Sequence, residues 1–265
     1  MLEFLFRSTP LMFFVQDFWR DEAFTVLLAK RNFFEMILLT SKDFNPPLYY
    51  ALIHFWIKLF GQSEIAVRSV SLFFYLGTVL GVFLIMENVF KWSQKKVHLA
   101  ILLFFVSPLV LYNAFEARMY TMLACFATFS WYYLKTQKPK KYLLFTILGL
   151  YTHYFMLLVL ASQAVYIFTS HLLKKTIKVR DYKELGIALL AFTPWIIFLL
   201  ITHRGAAGEQ FWIQPPQFNT YNHMPSLLYT GYEFDYQFFD KFLWPLTILL
   251  NVIPFDSIDG FTKPQ

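Results

Sequence analysis

The sequence predicts an all-helical membrane protein of several crossings, and three observations carry that expectation. Of 265 residues, 57% are hydrophobic and 21% aromatic, with 33 Phe and only 15% charged, where a soluble domain of this size carries roughly 25% charged residues. Mean hydropathy is +0.47. Long uncharged runs recur, close to the roughly 20 apolar residues that a helix needs to cross a hydrocarbon core of about 30 Å. Basic clusters separate those runs, as loops on one face of a membrane would. The formal charge of +6 therefore does not point to nucleic acid, because the basic residues sit in short loops between apolar stretches. The single Cys125 lies inside an apolar run, which leaves no internal disulfide and no cysteine metal site. No stretch reads as a cleavable signal peptide, an internal repeat or a low-complexity tract.

Met1 to Val15 is apolar but short, and Glu3 and Arg7 interrupt it. It reads as part of a first span. Trp19 to Gly61 then organises the chain. An acid pair, Asp21-Glu22, opens an amphipathic run from Ala23 to Leu39. The chain turns through Asp43-Phe44-Asn45-Pro46-Pro47 and enters a second helical run, Leu48 to Phe60. Pro47 suits a first helical position and Gly61 a stop. Lys30, Arg31 and Glu35 interrupt the first run, and His54 and Lys58 the second. Both are expected to lie in the membrane interface and not to cross it.

Uncharged runs follow at Ser69–Met86, Leu99–Phe115 (with Pro108 inside), Met119–Leu134 and Leu185–Thr202. Tyr142–Leu173 is uncharged apart from His153 and His171. It begins and ends at basic clusters, so it reads as two short spans meeting near Gly149–Tyr154. A final run, Phe242–Phe255, is broken by Pro245 and Pro254. The positive-inside rule puts three basic clusters, around Lys95, Lys138 and Lys175, on the cytoplasmic face. Parity then brings Asp21, Glu22, Arg68, Glu116, Arg118, His153 and the long loop 203–241 to the opposite, outer face. The expected organisation is a single domain over 1–265. It comprises an outer surface loop (16–64), a membrane core (65–202), an outer loop (203–241) and a last span (242–255).

An acid pair and two arginines at a membrane surface suit an anionic, membrane-borne substrate. A carboxylate can take a proton from a hydroxyl or amine. An arginine stays charged at any relevant pH and can grip a phosphate with a planar fork. Two classes of protein fit. One is an enzyme that transfers a group away from a lipid phosphate. The other is a non-catalytic polytopic protein such as a lipid-carrier flippase or a transporter component. A transporter is expected to carry ionisable or broken-helix residues near mid-membrane. Here the charges gather at one face, which favours surface chemistry.

Four stretches taken together carry a resemblance: WRDEAF, FNPPLYYALIHFWIKLFGQSEIAVRSVS, EARMY and LYTHYF. In order and spacing they resemble the glycosyltransferases of the GT-C class, with the nearest likeness to the protein O-mannosyltransferase type and the related bacterial polyprenyl-phosphate-sugar transferases. It covers about Phe18 to Trp195. The resemblance implies a GT-C-like bundle of about seven or eight transmembrane helices with two amphipathic surface helices in the first outer loop. It implies an inverting transferase of the plasma membrane of a bacterium or archaeon. A sugar would move from undecaprenyl or dolichyl phosphate to a glycan, lipid or protein acceptor on the outer face.

In that reading Asp21 is the base and Glu22 supports it. Arg68 holds the phosphate together with Arg118, and Glu116, Arg118 and Tyr120 belong to the second outer loop. His153 and Asn45 are further substrate contacts. Trp212, Tyr221 and Tyr229 in the 203–241 loop are candidate sugar or acceptor contacts. Membrane lipids are the other partners, no cofactor is expected, and no motif supports a metal. The chain departs from the pattern in three ways. Asn45 and Pro46 stand where some members place a lysine before the proline. Tyr120 stands where some place a second acid. The chain is also short for the class, as a fragment or a minimal member would be.

Overall fold

The amphipathic run read from Ala23 to Leu39 is two helices in the computed structural model, α1 (Arg20–Ala29) and α2 (Phe33–Thr40). The break falls at Asn32, whose side chain accepts a hydrogen bond from the Phe34 amide at 3.0 Å and so caps α2. The structure describes residues 12–42, 45–105, 108–173 and 182–202. The loop 203–241 with Trp212, Tyr221 and Tyr229, the run Phe242–Phe255, and Lys175 lie outside the described residues. Chain contacts divide the protein into two units, and every contact described below lies in the first, residues 1–106 and 110–208.

The second surface helix, α3 (Leu48–Phe60), runs as the sequence predicts, from Pro47 to a Gly61 with φ of +84°. At 13 residues it spans about 20 Å, too short to cross the membrane. The expected separation of charged from apolar faces is not kept in α1. Glu22 is buried while Phe24 and Leu27 are exposed. Phe34, Leu38, Phe55 and Leu59 are likewise exposed, so the three short helices present large apolar side chains outward. That arrangement suits a headgroup boundary and is poorly suited to water.

The long helix α4 (Glu64–Leu84) starts at Ser63, whose hydroxyl accepts from the Ala66 amide at 3.3 Å, and continues in a π-helical turn, Ile85–Val89. The expected run Leu99–Phe115 is divided into α5 (Gln94–Phe105) and α6 (Pro108–Ala114). Pro108 opens the second piece, because a proline inside a continuous helix would lose a hydrogen bond and clash with the preceding turn. Then come α7 (Tyr120–Lys135) and α8 (Pro139–Thr152), followed by α9 (Met156–Leu173) and α10 (Lys183–Thr202). The meeting of α8 and α9 at 153–155 is the turn expected near Gly149–Tyr154.

Among the described residues every regular element is a helix, and three are long and apolar enough to cross a membrane: Glu64–Val89, Met156–Leu173 and Lys183–Thr202. Helices α7 and α8, at 16 and 14 residues, fall short of the roughly 20 needed.

Two glycines set how closely α4 and α7 approach. A Cβ built on Gly77 would lie 2.8 Å from the Cys125 sulfur, and one on Gly81 would lie 2.7 Å from Thr128 Cγ2. Small residues four apart let helix backbones come close in a membrane. This contact brings the start of α7 against the start of α4. Beneath the two starts lies a cluster that includes Val26, Met36, Tyr49, Ile53, Val67 and Met119. It fixes α1, α2 and α3 on the end of the bundle.

Candidate active site

Both acids of the opening pair sit in the first turn of α1, but neighbours on a helix point about 100° apart. Glu22 turns inward and is 1% exposed. Its Oε1 accepts from Arg68 Nε at 2.8 Å and from the Ala117 amide at 2.7 Å. Its Oε2 accepts from Arg68 Nη2 at 2.6 Å and from the Trp19 amide at 3.2 Å.

Arg68, in the second turn of α4, is 0% exposed. Nη1 donates to the carbonyls of Phe14 and Gln16 at 3.3 and 2.6 Å, and Nη2 donates to that of Asp17 at 3.3 Å. Those three bonds and the two to Glu22 use all five guanidinium N–H groups. The Phe18 ring covers its Cζ at 5.3 Å.

This geometry bears on two of the expected site residues. Arg68 is fully buried with every N–H bonded within the protein in this conformation. Glu22 has both carboxylate oxygens hydrogen-bonded and buried. Together the pair ties the chain before α1, the start of α4 and the 115–119 loop into one knot.

Asp21 turns the other way. Its side chain is 33% exposed, and Oδ2 stands 3.6 Å from Arg118 Nη2. The Asp21 carbonyl accepts from Thr25 Oγ1 at 3.0 Å and from Arg118 Nη1 at 3.4 Å. Arg118 is held by the short loop between α6 and α7 and is 11% exposed at its side chain. Its Nε is buried without a hydrogen-bond partner, and Cζ lies 5.9 Å from the Tyr120 ring centre. Burial pulls the Arg118 pKa down, but Tyr50, Tyr120 and Asp21 outweigh it and leave it raised. Arg118 is thus held less completely than Arg68, its Nη2 standing 3.6 Å from the Asp21 carboxylate.

Glu116 lies two residues away, 7% exposed. Burial lifts its carboxyl to about 7; Arg118 opposes that rise, while Glu22 and Asp21 add to it. It lines a narrow cleft with Gln16, Trp19, Glu22, Tyr112 and Phe115. His153 caps α8 in extended backbone and faces Tyr120 with ring centres 6.1 Å apart. Burial and the Arg118 charge lower its pKa, and its Nδ1 accepts from the Phe155 amide at 3.1 Å. That bond assigns the proton of the neutral ring to Nε2.

The structure thus brings Asp21, Glu116, Arg118, Tyr120 and His153 to one end of the bundle. Asn45 is buried and has an interaction of its own. Thr121, next to Tyr120, is buried with its hydroxyl unpartnered. Sequence reasoning passed over it, as it did Gln16 and Trp19. Only Trp19, beside the acid pair, carried a signal. Among the described residues no group of three or more His, Cys, Asp or Glu is arranged to hold a metal ion.

The fold and site define a membrane-embedded helical protein whose polar chemistry gathers at one bundle end in two acid–arginine pairs. A model of the dolichyl-phosphate-mannose-protein mannosyltransferase family matches residues 45–198, more than half of the 265-residue chain. The chain belongs to that family, which makes it an integral membrane protein of glycosyltransferase type. Arg68, Glu116, Arg118, Tyr120 and His153 fall within the match, while Asp21 and Glu22 precede it. No curated protein and no solved structure matches the chain.

Proposed function

We propose that this chain is an inverting glycosyltransferase that moves a sugar from a polyprenyl phosphate to an acceptor hydroxyl or amine on the outer face of the membrane. Asp21 takes the acceptor proton. The acceptor oxygen or nitrogen forms its bond to the anomeric carbon as the bond from that carbon to the phosphate oxygen breaks. The phosphate leaves with the electron pair, and Arg118 meets its charge. A phosphate at Arg118 competes with Asp21 for the guanidinium. Donor binding therefore loosens the ion pair and frees the carboxylate when it is needed as a base. Tyr120 and His153 border the acceptor side, with His153 neutral and able to donate from Nε2.

The single observation that supports this reading is the contrast between the pairs. Glu22 and Arg68 saturate one another, and Asp21 and Arg118 do not. The outer-face assignment rests on the lysine clusters, which gather at the other end of the helices that carry the site.

The test uses purified protein in liposomes with a polyprenyl phosphate carrying a radiolabelled sugar. Release of free polyprenyl phosphate, matched by label on an added acceptor extract, is the expected result. Movement of intact donor between leaflets without release would place the chain with carrier flippases instead.

A further inference from the structure

At the opposite end of α7, about 24 Å from Arg118 along a helix of 16 residues, four helix ends surround a cavity of about 530 Å³. Tyr133, Leu134 and Gln137 border it at the end of α7, and Lys138 and Tyr142 at the start of α8. Ser170 and His171 border it at the end of α9, and Lys183 and Glu184 at the start of α10. Its position, charge and shape all point to one class of ligand.

Lys138 is the N-terminal cap of α8, and Lys183 is the first residue of α10. Two lysines and two positive helix ends therefore border the same space, against the single acid Glu184. The Tyr133 and Ser170 hydroxyls, which border the same space, add donors suited to phosphate oxygens. Tyr142, which lines the cavity, is tied into a buried polar chain. The Tyr142 hydroxyl donates to Gln163 Oε1 at 2.8 Å, and Gln163 Nε2 donates to Ser130 Oγ at 2.7 Å. Lys135 Nζ donates to the hydroxyl of Tyr166, another lining residue, at 2.9 Å.

Outside the cavity the same helix ends carry exposed apolar side chains: Leu144 on α8 and Phe168, Leu172 and Leu173 on α9. A ligand with an anionic head in the cavity would lay its tails along these. The lysine-rich end is the cytoplasmic one by the positive-inside rule, and anionic lipids populate that leaflet.

We infer that this cavity binds the phosphodiester headgroup of an anionic phospholipid from the cytoplasmic leaflet, at a site separate from the outer-face chemistry. The inference does not depend on the glycosyltransferase reading.

The first measurement is native mass spectrometry of the full chain released from nanodiscs of phosphatidylcholine with phosphatidylglycerol. The wild-type protein should retain phosphatidylglycerol in preference to phosphatidylcholine. Lys138→Gln with Lys183→Gln should cut that retention roughly fivefold per lysine. Lys95→Gln with Lys96→Gln, at the same end but outside the cavity, should leave it intact. Equal retention by the first pair of variants, or no headgroup preference, overturns the proposal. Displacement of the lipid by millimolar glycerol phosphate also overturns it, because the site would then take a free phosphate ester.

The second measurement needs no variant. A headgroup photo-crosslinking phosphatidylglycerol should label wild-type peptides that contain Lys138 or His171. Labelling confined to other loops contradicts the assignment even if the lysine variants fold poorly.

Discussion

Asp21 and Glu22 are adjacent acids, each paired with an arginine from a different part of the chain, and the two pairs have opposite character. Glu22–Arg68 is sealed. Both side chains are almost fully buried, and its two bonds, at 2.6 and 2.8 Å, sit among backbone bonds that use every guanidinium N–H. Asp21–Arg118 is open, with a 3.6 Å separation, a one-third exposed carboxylate and a buried Nε without a partner. An acid–arginine pair at a membrane surface is thus not by itself a catalytic feature. The sealed pair does structural work, because the Ala117 amide on Glu22 Oε1 draws the second loop against α1. That contact sets Arg118 beside Asp21.

The comparison breaks most directly at the sealed pair. Removing one partner of a buried ion pair leaves the other charge uncompensated and costs about 3–5 kcal/mol. Arg68→Ala should therefore lower the melting temperature in detergent strongly and reduce the yield of folded protein. Glu22→Gln with Arg68→Met should recover part of that loss. A normal melting temperature for Arg68→Ala would remove the structural role.

Arg118 separates the pairs on the chemical side. Arg118→Lys keeps the charge but loses the planar fork. It should raise the donor KM or lower kcat/KM by the equivalent of roughly 1.5–3 kcal/mol, the range for a hydrogen bond to a charged group. Its melting temperature should stay near wild type, whereas an unchanged kcat/KM would reassign the phosphate site.

A smaller effect sharpens the comparison through pH. Glu116 has a folded pKa raised from 4.5 to about 7, with burial the largest cause. A raised acid contributes stability that is fully present below about 4.5 and lost as pH rises through about 7. The wild-type melting temperature should therefore carry a downward component across that window, and Glu116→Gln should flatten it. An unchanged slope in Glu116→Gln would place the titration elsewhere.

Much of the scaffold was legible in the sequence because local signals bound it. Pro47 and Gly61 bracket α3, and the uncharged stretch Tyr142–Leu173, longer than one span and bounded by lysines at both ends, turns at His153. The break at Asn32 also had a local signal, an Asn followed three residues later by Glu35, which the apolar periodicity of the run concealed. Gly77 and Gly81, four apart in an apolar run, likewise announced the close packing of α4 on α7.

The roles of the site residues were less accessible. Whether Asp21 or Glu22 faces the core depends on a partner 46 residues away, and whether Arg68 or Arg118 has free donors depends on backbone carbonyls at 14–17. Composition and spacing hold no record of either. The sequence reading set Arg68 and Arg118 together as one phosphate clamp, and only the three-dimensional contacts separate them, with Arg68 in the buried knot and Arg118 beside Asp21.

The most direct test of that division compares Asp21→Asn with wild type at matched folded protein, reading single-turnover sugar transfer from a polyprenyl-phosphate donor. Asn keeps the size and hydrogen bonding of Asp and removes only its charge. Loss of a positioned general base typically slows reaction by about 10²–10⁴, so transfer should fall into that range while donor binding and melting temperature stay near normal. Near-normal transfer by Asp21→Asn, with its folding intact, would contradict the assignment of the open pair to chemistry.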